Sequence, residues 1–416
     1  MKKTVAILLL LNFTLCLWGI DTGQRSFDGA FKTLRVSQND NVLGAPVLVL
    51  GTDDFLEFSF DELAEDRSYL RYNVIHCNSD WQPSNLVESE FLNGFNLGDV
   101  EDYSFSRATT VHYVHYSITL PNQQISFKQS GNYLLQVFRE EDPEKILLQF
   151  RFYVSEQSAL TSGSVATVTD LDYNERHQQI SLEIDCTHSP VENLFSDLTV
   201  VVEQNQRNDS RVTVKHPMRV SGRRAIYEHI PSLIFEGGNE YRRFETVSTS
   251  FPSIGISEIS YQYPYYHFTL YEDNTRAYTQ YLYDRTINGK FFIREYNSEN
   301  GDTEADYVIV HFNLDAPYIP GRDIYIDGDI TNRSLNSESL MNYNADTGKY
   351  EKTMLLKQGQ YNYQYLSHRR NSAKYETEPL EGNFHQTENQ YTVKVYTRPR
   401  GERADRLINY SILAKH

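Results

Sequence analysis

The sequence has little cysteine, tryptophan or positive charge, and each shortage argues against a class of protein. Its 416 residues include three Cys and two Trp, and 39 Lys and Arg stand against 56 Asp and Glu. The formal net charge of −17 repels phosphate backbones and anionic lipid surfaces, so we expect no nucleic-acid partner. Apolar runs of membrane-spanning length are also lacking beyond the first twenty residues, which predicts a soluble mature protein.

The first twenty residues have the features of a targeting segment. Lys2 and Lys3 precede an apolar run over 5–18, which is typical of a secretory signal peptide. A single-pass membrane anchor is the alternative, but the run is shorter than the ~20 apolar residues that a span requires. Lipid attachment at Cys16 is disfavoured because the bulky Leu15 stands where a lipoprotein signal carries a small residue. We therefore assign residues 1–20 to a signal peptide.

Only two cysteines remain after this segment, Cys77 and Cys186. We expect two buried free thiols, and one long-range disulfide in an oxidising compartment is the alternative. Neither cysteine has a second cysteine at metal-ligating spacing. We expect no metal and no cofactor.

Aromatic residues are abundant, with 31 Tyr and 22 Phe, and both residue types favour strands. Apolar residues alternate with polar ones in many short segments, for example over 145–154, and this period of two is the strand signature. Segments 130–138 and 145–154 flank a polar stretch and predict a hairpin. Only 84–95 looks helical. The pattern predicts an all-β chain of tandem immunoglobulin-like β-sandwich domains.

Two boundaries divide the chain, and the first of them is a stretch poor in apolar residues. One lies at 155–164 and the other near 251–257. They predict an N-terminal sandwich over 21–157, a second sandwich over 158–255 and a C-terminal Tyr-rich sandwich over 256–416.

The run YQYPYYHFTLY at 261–271 carries large side chains on both faces of one predicted strand. One face can fill the core while the other forms a wet, Tyr-rich contact surface of the kind that interfaces favour. Pro264 indicates an edge strand or a bulge, and an edge strand can receive a partner chain. The candidate partner-contact residues are Tyr261, Tyr263, Tyr265, Tyr271, Tyr278 and Tyr281.

Catalytic signatures are sparse. His112 and His115 are the best metal candidates, but residues three apart on a strand point to opposite faces. The same argument separates His76 from Cys77 as a base and nucleophile. We predict no enzyme activity. A hydrolase with two carboxylates facing each other across a cleft between sandwiches stays open, because spacing in sequence cannot show such a pair.

The last 110 residues resemble the glycogen-binding modules of carbohydrate enzymes. The segment DIYIDGDI at 323–330, a polar turn and the hairpin ending in GQYNYQYL at 359–366 carry this resemblance. Those modules stack sugars on tryptophan, and no Trp follows Trp81. A secreted carbohydrate-binding protein that uses tyrosines such as Tyr361 and Tyr363 is therefore the alternative function.

A wider resemblance runs through most of the chain. Segments 72–95, 111–122, 263–278 and 391–410 resemble a Bacteroidetes-type family of secreted all-β proteins. At least one member of this family acts as the plug protein of type IX secretion. The resemblance implies a periplasmic protein, monomeric by itself, that docks on the outer-membrane translocon barrel through protein contacts and closes its periplasmic mouth. The family supplies no catalytic residues.

Overall fold

A computed structural model describes residues 22–372 and 374–415, and most of its regular structure is β-strand. The predicted signal peptide, including Cys16, lies outside the described residues. In the described ranges, no helix combines the length and the hydropathy that crossing a bilayer demands. The two α-helices, α1 at Glu88–Phe91 and α2 at Gly301–Glu304, are single turns.

The strands follow one another closely along the chain. Strands β1 to β12 are Arg25–Ser26, Phe31–Gln38, Val47–Val49, Leu56–Glu62, Leu70–Cys77, Leu92–Gly94, Gly98–Asp99, Asp102–Phe105, Val114–Leu120, Ile125–Phe127, Gly131–Arg139 and Asp142–Ser155. Strands β13 to β20 are Leu160–Ala166, His177–Asp185, Leu198–Gln204, Val212–Val214, Arg219–Ser221, Arg224–Tyr227, Ile234–Glu236 and Arg242–Glu245. Strands β21 to β32 are Ile256–Gln262, Tyr265–Leu270, Asp273–Asn274, Phe291–Ile293, Tyr307–Asp315, Arg322–Asp327, Asn342–Asn344, Lys349–Lys357, Gly359–Arg369, Tyr375–Glu376, Gln390–Thr397 and Arg406–Ala414. Short 3-10 turns occupy Asn208–Ser210, Pro231–Leu233 and Asp329–Thr331.

The first sandwich pairs the sheet β1-β12-β11-β5-β7, with β3 alongside β12, against the sheet β2-β4-β9-β8. Phe58 and Phe60 of one sheet meet Phe150 of the other with ring centroids 5.4 and 6.2 Å apart. The predicted hairpin is confirmed as β11 and β12. The predicted helix is reduced to α1, because the chain turns at once into β6, where Gly94 has a φ of +96° and lies against the Gln124 carbonyl.

The second sandwich is completed by the end of the chain. Its sheets are β13-β14-β18-β17, with β19 on β14, and β16-β15-β31-β32. Strands β31 and β32 come from 390–414, so the hydrogen bonds place them outside the C-terminal sandwich in which the sequence put them. The alternation of Val393 and Val395 shows that one face is buried, but it does not encode which core receives that face.

The third sandwich begins earlier than predicted, because β20 at Arg242–Glu245 already pairs with β29. One sheet is β20-β29-β24, with β26 and β30 also on β29, and the other is β21-β22-β25-β28-β27, with β23 on β25. Three β-sandwiches in tandem confirm the predicted all-β class.

Both described cysteines are free and buried. Burial raises the pKa of the Cys77 thiol to about 12 and that of Cys186 to about 11. The expectation of two buried free thiols is thus confirmed.

Candidate partner-binding surface

The Tyr-rich run folds as a hairpin, not as one strand. Strands β21 and β22 pair antiparallel, and Tyr263 and Pro264 form the turn between them. Tyr261 and Tyr266 face each other with ring centroids 4.8 Å apart, and Tyr263 at the tip is 89% exposed. The run therefore reaches an edge, as predicted, since β21 is the last strand of its sheet. Pro264 itself lies in the turn.

The six candidate tyrosines do not form one patch. Tyr261, Tyr263 and Tyr265 lie at the hairpin tip, whereas Tyr271 follows the opposite end of β22. Six strand residues separate the two ends by ~20 Å. Tyr278 and Tyr281 lie in a third place, a loop between β23 and β24.

This loop, residues 275–290, exposes several large side chains at the surface of the third sandwich, and we call it the aromatic loop. The sequence predicts a strand at 278–284, but the segment contains no helix or strand. Tyr278 is 87% exposed and Leu282 81% exposed, and Tyr283 is also exposed. The alternation of apolar and polar residues could not identify Leu282 and Tyr283 as surface residues, because side chains of an irregular loop do not point inwards and outwards at regular intervals. Its length between two strands is the signal that could have found it.

Buried anchors hold the aromatic loop in place. The Arg276 Nε donates to Glu381 Oε2 at 2.8 Å, and the hydroxyl of Tyr281 donates to Glu240 Oε1 at 2.7 Å. Burial alone would raise the pKa of Glu381, but Arg242 and Arg276 lower it to about 2. Tyr281 is therefore an anchor of the loop, and Tyr278 is presented to solvent.

A buried charge joins the first sandwich to the third. The Asp61 carboxylate accepts hydrogen bonds from Lys357 Nζ at 2.6 Å and from the Tyr307 hydroxyl at 2.7 Å. His115 Nδ1 lies 2.6 Å from the other carboxylate oxygen. Burial alone would raise the pKa of Asp61, but Lys357 and His115 lower it to about 2. The Asp61 carboxylate of this first–third junction therefore stays ionised at neutral pH.

A second buried charge lies where the first and second sandwiches meet. Lys394 Nζ lies 2.7 Å from Glu203 Oε2 and donates to the Tyr153 hydroxyl of the first sandwich at 3.0 Å. The Tyr396 hydroxyl donates to Asn132 Oδ1 at 2.7 Å. This first–second junction also buries Trp81, the one Trp of the described residues.

The second and third sandwiches are also in contact. Lys374 Nζ of the third sandwich donates to Glu236 Oε1 of the second at 2.6 Å. Every sandwich therefore contacts both of the others, and the three form a connected block.

The residues considered for catalysis are structural or separate. His112 pairs with the exposed Glu65, whereas His115 belongs to the first–third junction. His76 bonds Ser84 and the Ser130 carbonyl. Across the described parts of the chain, no three His, Cys, Asp or Glu side chains are placed to hold a metal ion.

The tyrosines considered for sugar binding are buried. Tyr361 and Tyr363 are core residues of the third sandwich, exposed by 2% and 3%. The Tyr361 ring stacks on Phe244 and Phe291. Neither ring can present a face to a glycan.

Comparisons with known proteins identify relatives of this chain. The family model "Type 9 secretion system plug protein 1st domain" matches residues 31–156, which span β2 to β12 of the first sandwich. The crystal structure of a hypothetical protein from Parabacteroides merdae ATCC 43184 is similar with a TM-score of 0.93 and 39% sequence identity. The alignment covers 94% of this chain and 99% of that one. The collagen adhesin of S. aureus aligns with a TM-score of 0.13 and 7% identity, which supports no argument. No curated protein matches the chain.

Proposed function

Because the chain belongs to the type 9 secretion system plug protein family, we propose that it docks on an outer-membrane translocon barrel of that system and closes the periplasmic opening. The family match over 31–156 is the observation that carries the proposal. The proposed location is the periplasm, at the inner side of the outer membrane. The chain is held there by protein contacts and is monomeric on its own.

The arrangement of the sandwiches supports this role. Closing a wide pore requires a body that keeps its shape and offers enough contact area, about 800 Å² on each partner for a stable complex. Two of the three junctions are fixed by buried charged groups, Asp61 with Lys357 and Lys394 with Glu203. Such a block can cover an opening without folding on arrival.

The aromatic loop is the proposed docking surface. Tyr278, Leu282 and Tyr283 project from a loop whose base is tied to Glu381 and Glu240. Large side chains on an ordered loop lose little conformational freedom on binding, and tyrosine is enriched among residues that dominate interface energies. A Tyr-rich contact also suits a seal that must open again, because it is less apolar than a permanent interface.

The proposed role needs no catalysis. The histidines and cysteines that could serve chemistry are separated, hydrogen-bonded or buried. The carbohydrate-binding alternative is not supported at the two tyrosines considered for it, because Tyr361 and Tyr363 are buried in the core.

Affinity purification tests the docking surface. The tagged wild-type chain is expected to recover an outer-membrane component of the secretion system from detergent-solubilised envelopes. The double variant Tyr278→Ala/Leu282→Ala is expected to lose most of that recovery. Leu171→Ala/Tyr173→Ala is the matched control, since it removes a Leu and a Tyr that are also highly exposed from the second sandwich. Its recovery should equal that of the wild type.

A deletion strain tests the closing of the pore. Loss of the chain should make the outer membrane permeable to molecules that it normally excludes, and the wild-type gene should restore the barrier. Normal permeability in the deletion strain, together with no recovered outer-membrane component, would rule out the plug function. Equal loss of recovery with both double variants would instead contradict the assignment of the aromatic loop.

A further inference from the structure

Strand β28 of the third sandwich has one edge that is covered only at its beginning. β27 pairs with Lys349–Glu351, whereas β28 continues to Lys357. The residues before β27 leave for the opposite sheet, where Met341 N–H donates to the Ile324 carbonyl at 2.8 Å. As far as the structure describes the chain, no strand pairs with this edge over 352–357. One strand position of the sheet is therefore vacant.

The main chain along this edge is oriented towards the vacancy. Gln358 N–H donates to the Asp306 carbonyl on the β25 side, so the even-numbered residues of this stretch bond β25. The odd-numbered residues, among them Thr353 and Leu355, turn their N–H and C=O groups outwards. Such groups are a template for another strand.

A cleft of about 290 Å³ occupies the vacant position, and we call it the junction cleft. Consecutive residues of 352–357 line one side, and consecutive residues of 31–34 in β2 line the other. A strand that presents only a face would contribute alternate residues, so consecutive ones mark two edges. β2 is the end strand of its own sheet. The open edge of β28 thus faces β2 across the cleft.

Core side chains are left partly uncovered at the same place. Met354 and Leu356 pair with Val310 and Val308, which are fully buried, yet both remain only half-buried. Phe291 of the facing sheet is half-buried too and lines the cleft. A strand in the vacant position would cover these apolar side chains with every second residue.

The net charge of the residues that line the junction cleft does not favour binding of a small ion. Lys32, Lys352 and Lys357 line the cleft together with Asp28, Asp329 and Glu338, so the six charges cancel. A neutral main chain is complementary to such a lining. The cleft also continues into the first–third junction, where the Thr33 hydroxyl lies 2.6 Å from the Tyr307 hydroxyl.

We propose that the junction cleft binds an extended polypeptide segment of a partner protein as a strand added to the open edge of β28. The segment would bond the outward main chain of Thr353 and Leu355 and place alternate apolar side chains on Met354, Leu356 and Phe291. Recognition by strand addition takes its affinity from the main chain and its selectivity from alternate side chains.

A displayed library of random peptides of about eight residues, the length of an ordinary strand, serves as the probe for the mature chain. Enriched peptides are expected to alternate apolar and polar residues. On binding they should slow hydrogen exchange in 349–358 and 31–38, measured by mass spectrometry. Met354→Trp fills the apolar side of the cleft and should weaken binding about tenfold or more.

Met218→Trp is the matched control, because Met218 is an exposed methionine of the second sandwich. It should leave the affinity unchanged. Thr353→Pro removes one outward N–H and should weaken binding as well. This second variant keeps the test valid if a thermal unfolding measurement shows that Met354→Trp is not folded. Three results would each overturn the proposal: no enrichment, exchange protection elsewhere, or a self-association of the chain that Met354→Trp abolishes.

Discussion

The first sandwich is joined to its two neighbours by buried charges that are arranged in opposite ways. At the first–third junction the ion pair itself crosses the boundary, since Asp61 lies in β4 and Lys357 in β28. At the first–second junction both charges, Glu203 and Lys394, lie on neighbouring strands of the second sandwich. The group of the first sandwich that hydrogen-bonds this pair is the neutral hydroxyl of Tyr153.

The location of each ion pair indicates whether it stabilises a single sandwich or the contact between two sandwiches. Glu203 and Lys394 can meet as soon as the second sandwich forms, so their pairing belongs to the stability of that sandwich. Asp61 and Lys357 meet only when two sandwiches dock. Because a buried charge without its partner is costly, loss of either one acts on the docking itself.

Asp61→Ala is expected to have the largest effect. It leaves the Lys357 ammonium buried without its counter-charge, which costs about 3–5 kcal/mol of unfolding free energy. Urea unfolding measures this loss, and hydrogen exchange should rise on both sides of the first–third junction. Glu203→Ala should lower the stability similarly, but its faster exchange should be confined to the second sandwich and the Tyr153 contact. Identical exchange patterns in the two variants would contradict the comparison.

Acid should act on the crossing pair. The pKa of Asp61 is lowered to about 2 in the folded protein, below its value of 3.8 in the unfolded chain. The stabilisation is therefore complete above about pH 4 and is lost as the pH falls towards 2, a change of about 2 kcal/mol. The free energies of unfolding of wild type and Asp61→Asn should differ most at neutral pH and converge in acid. A gap independent of pH would refute this assignment.

Tyr153→Phe tests the first–second junction, to which the first sandwich contributes a neutral hydroxyl. The variant loses one hydrogen bond to the Lys394 ammonium, with an expected cost of about 1.5 kcal/mol. Cys77 lies in the cluster at this junction, whereas Cys186 lies in the core of the second sandwich. Labelling with a thiol reagent should become faster at Cys77 and stay slow at Cys186. Equal acceleration at both thiols would indicate global loosening.

The smallest effect is expected for an exposed pair. Arg370 and Asp323 form a salt bridge at the surface of the third sandwich, where solvent screens the charges. Arg370→Ala should leave the urea midpoint unchanged within error. A loss of unfolding free energy comparable with that of Asp61→Ala would show that burial does not explain why the two ion pairs differ in their effect on stability.

Local pattern predicted much of the fold. The hairpin of β11 and β12 follows from two alternating runs around a polar stretch, and the all-β class follows from many such runs. The predicted helix at 84–95 was mostly wrong. Only one turn forms, because the segment returns to a strand that pairs with β10.

The exposure of the candidate tyrosines was predicted only in part. Tyr263 and Tyr278 are highly exposed, but Tyr281 is tied to Glu240, and Tyr271 lies far from the hairpin tip. Leu282 and Tyr283 were missed, since an irregular loop has no period that separates inside from outside. Tyrosine content alone marks amphipathic positions and does not tell which of them face solvent.

The sequence by itself determined where strands form, which face of most strands is apolar, and the family to which the chain belongs. Those properties are local, or they are carried by the order of segments. The tertiary structure alone decided that β31 and β32 complete the second sandwich, that Asp61 meets Lys357 from 296 residues away, and that one edge of β28 stays open. Periodicity shows that a face must be buried, but its partner is selected by the burial and main-chain pairing of the whole molecule.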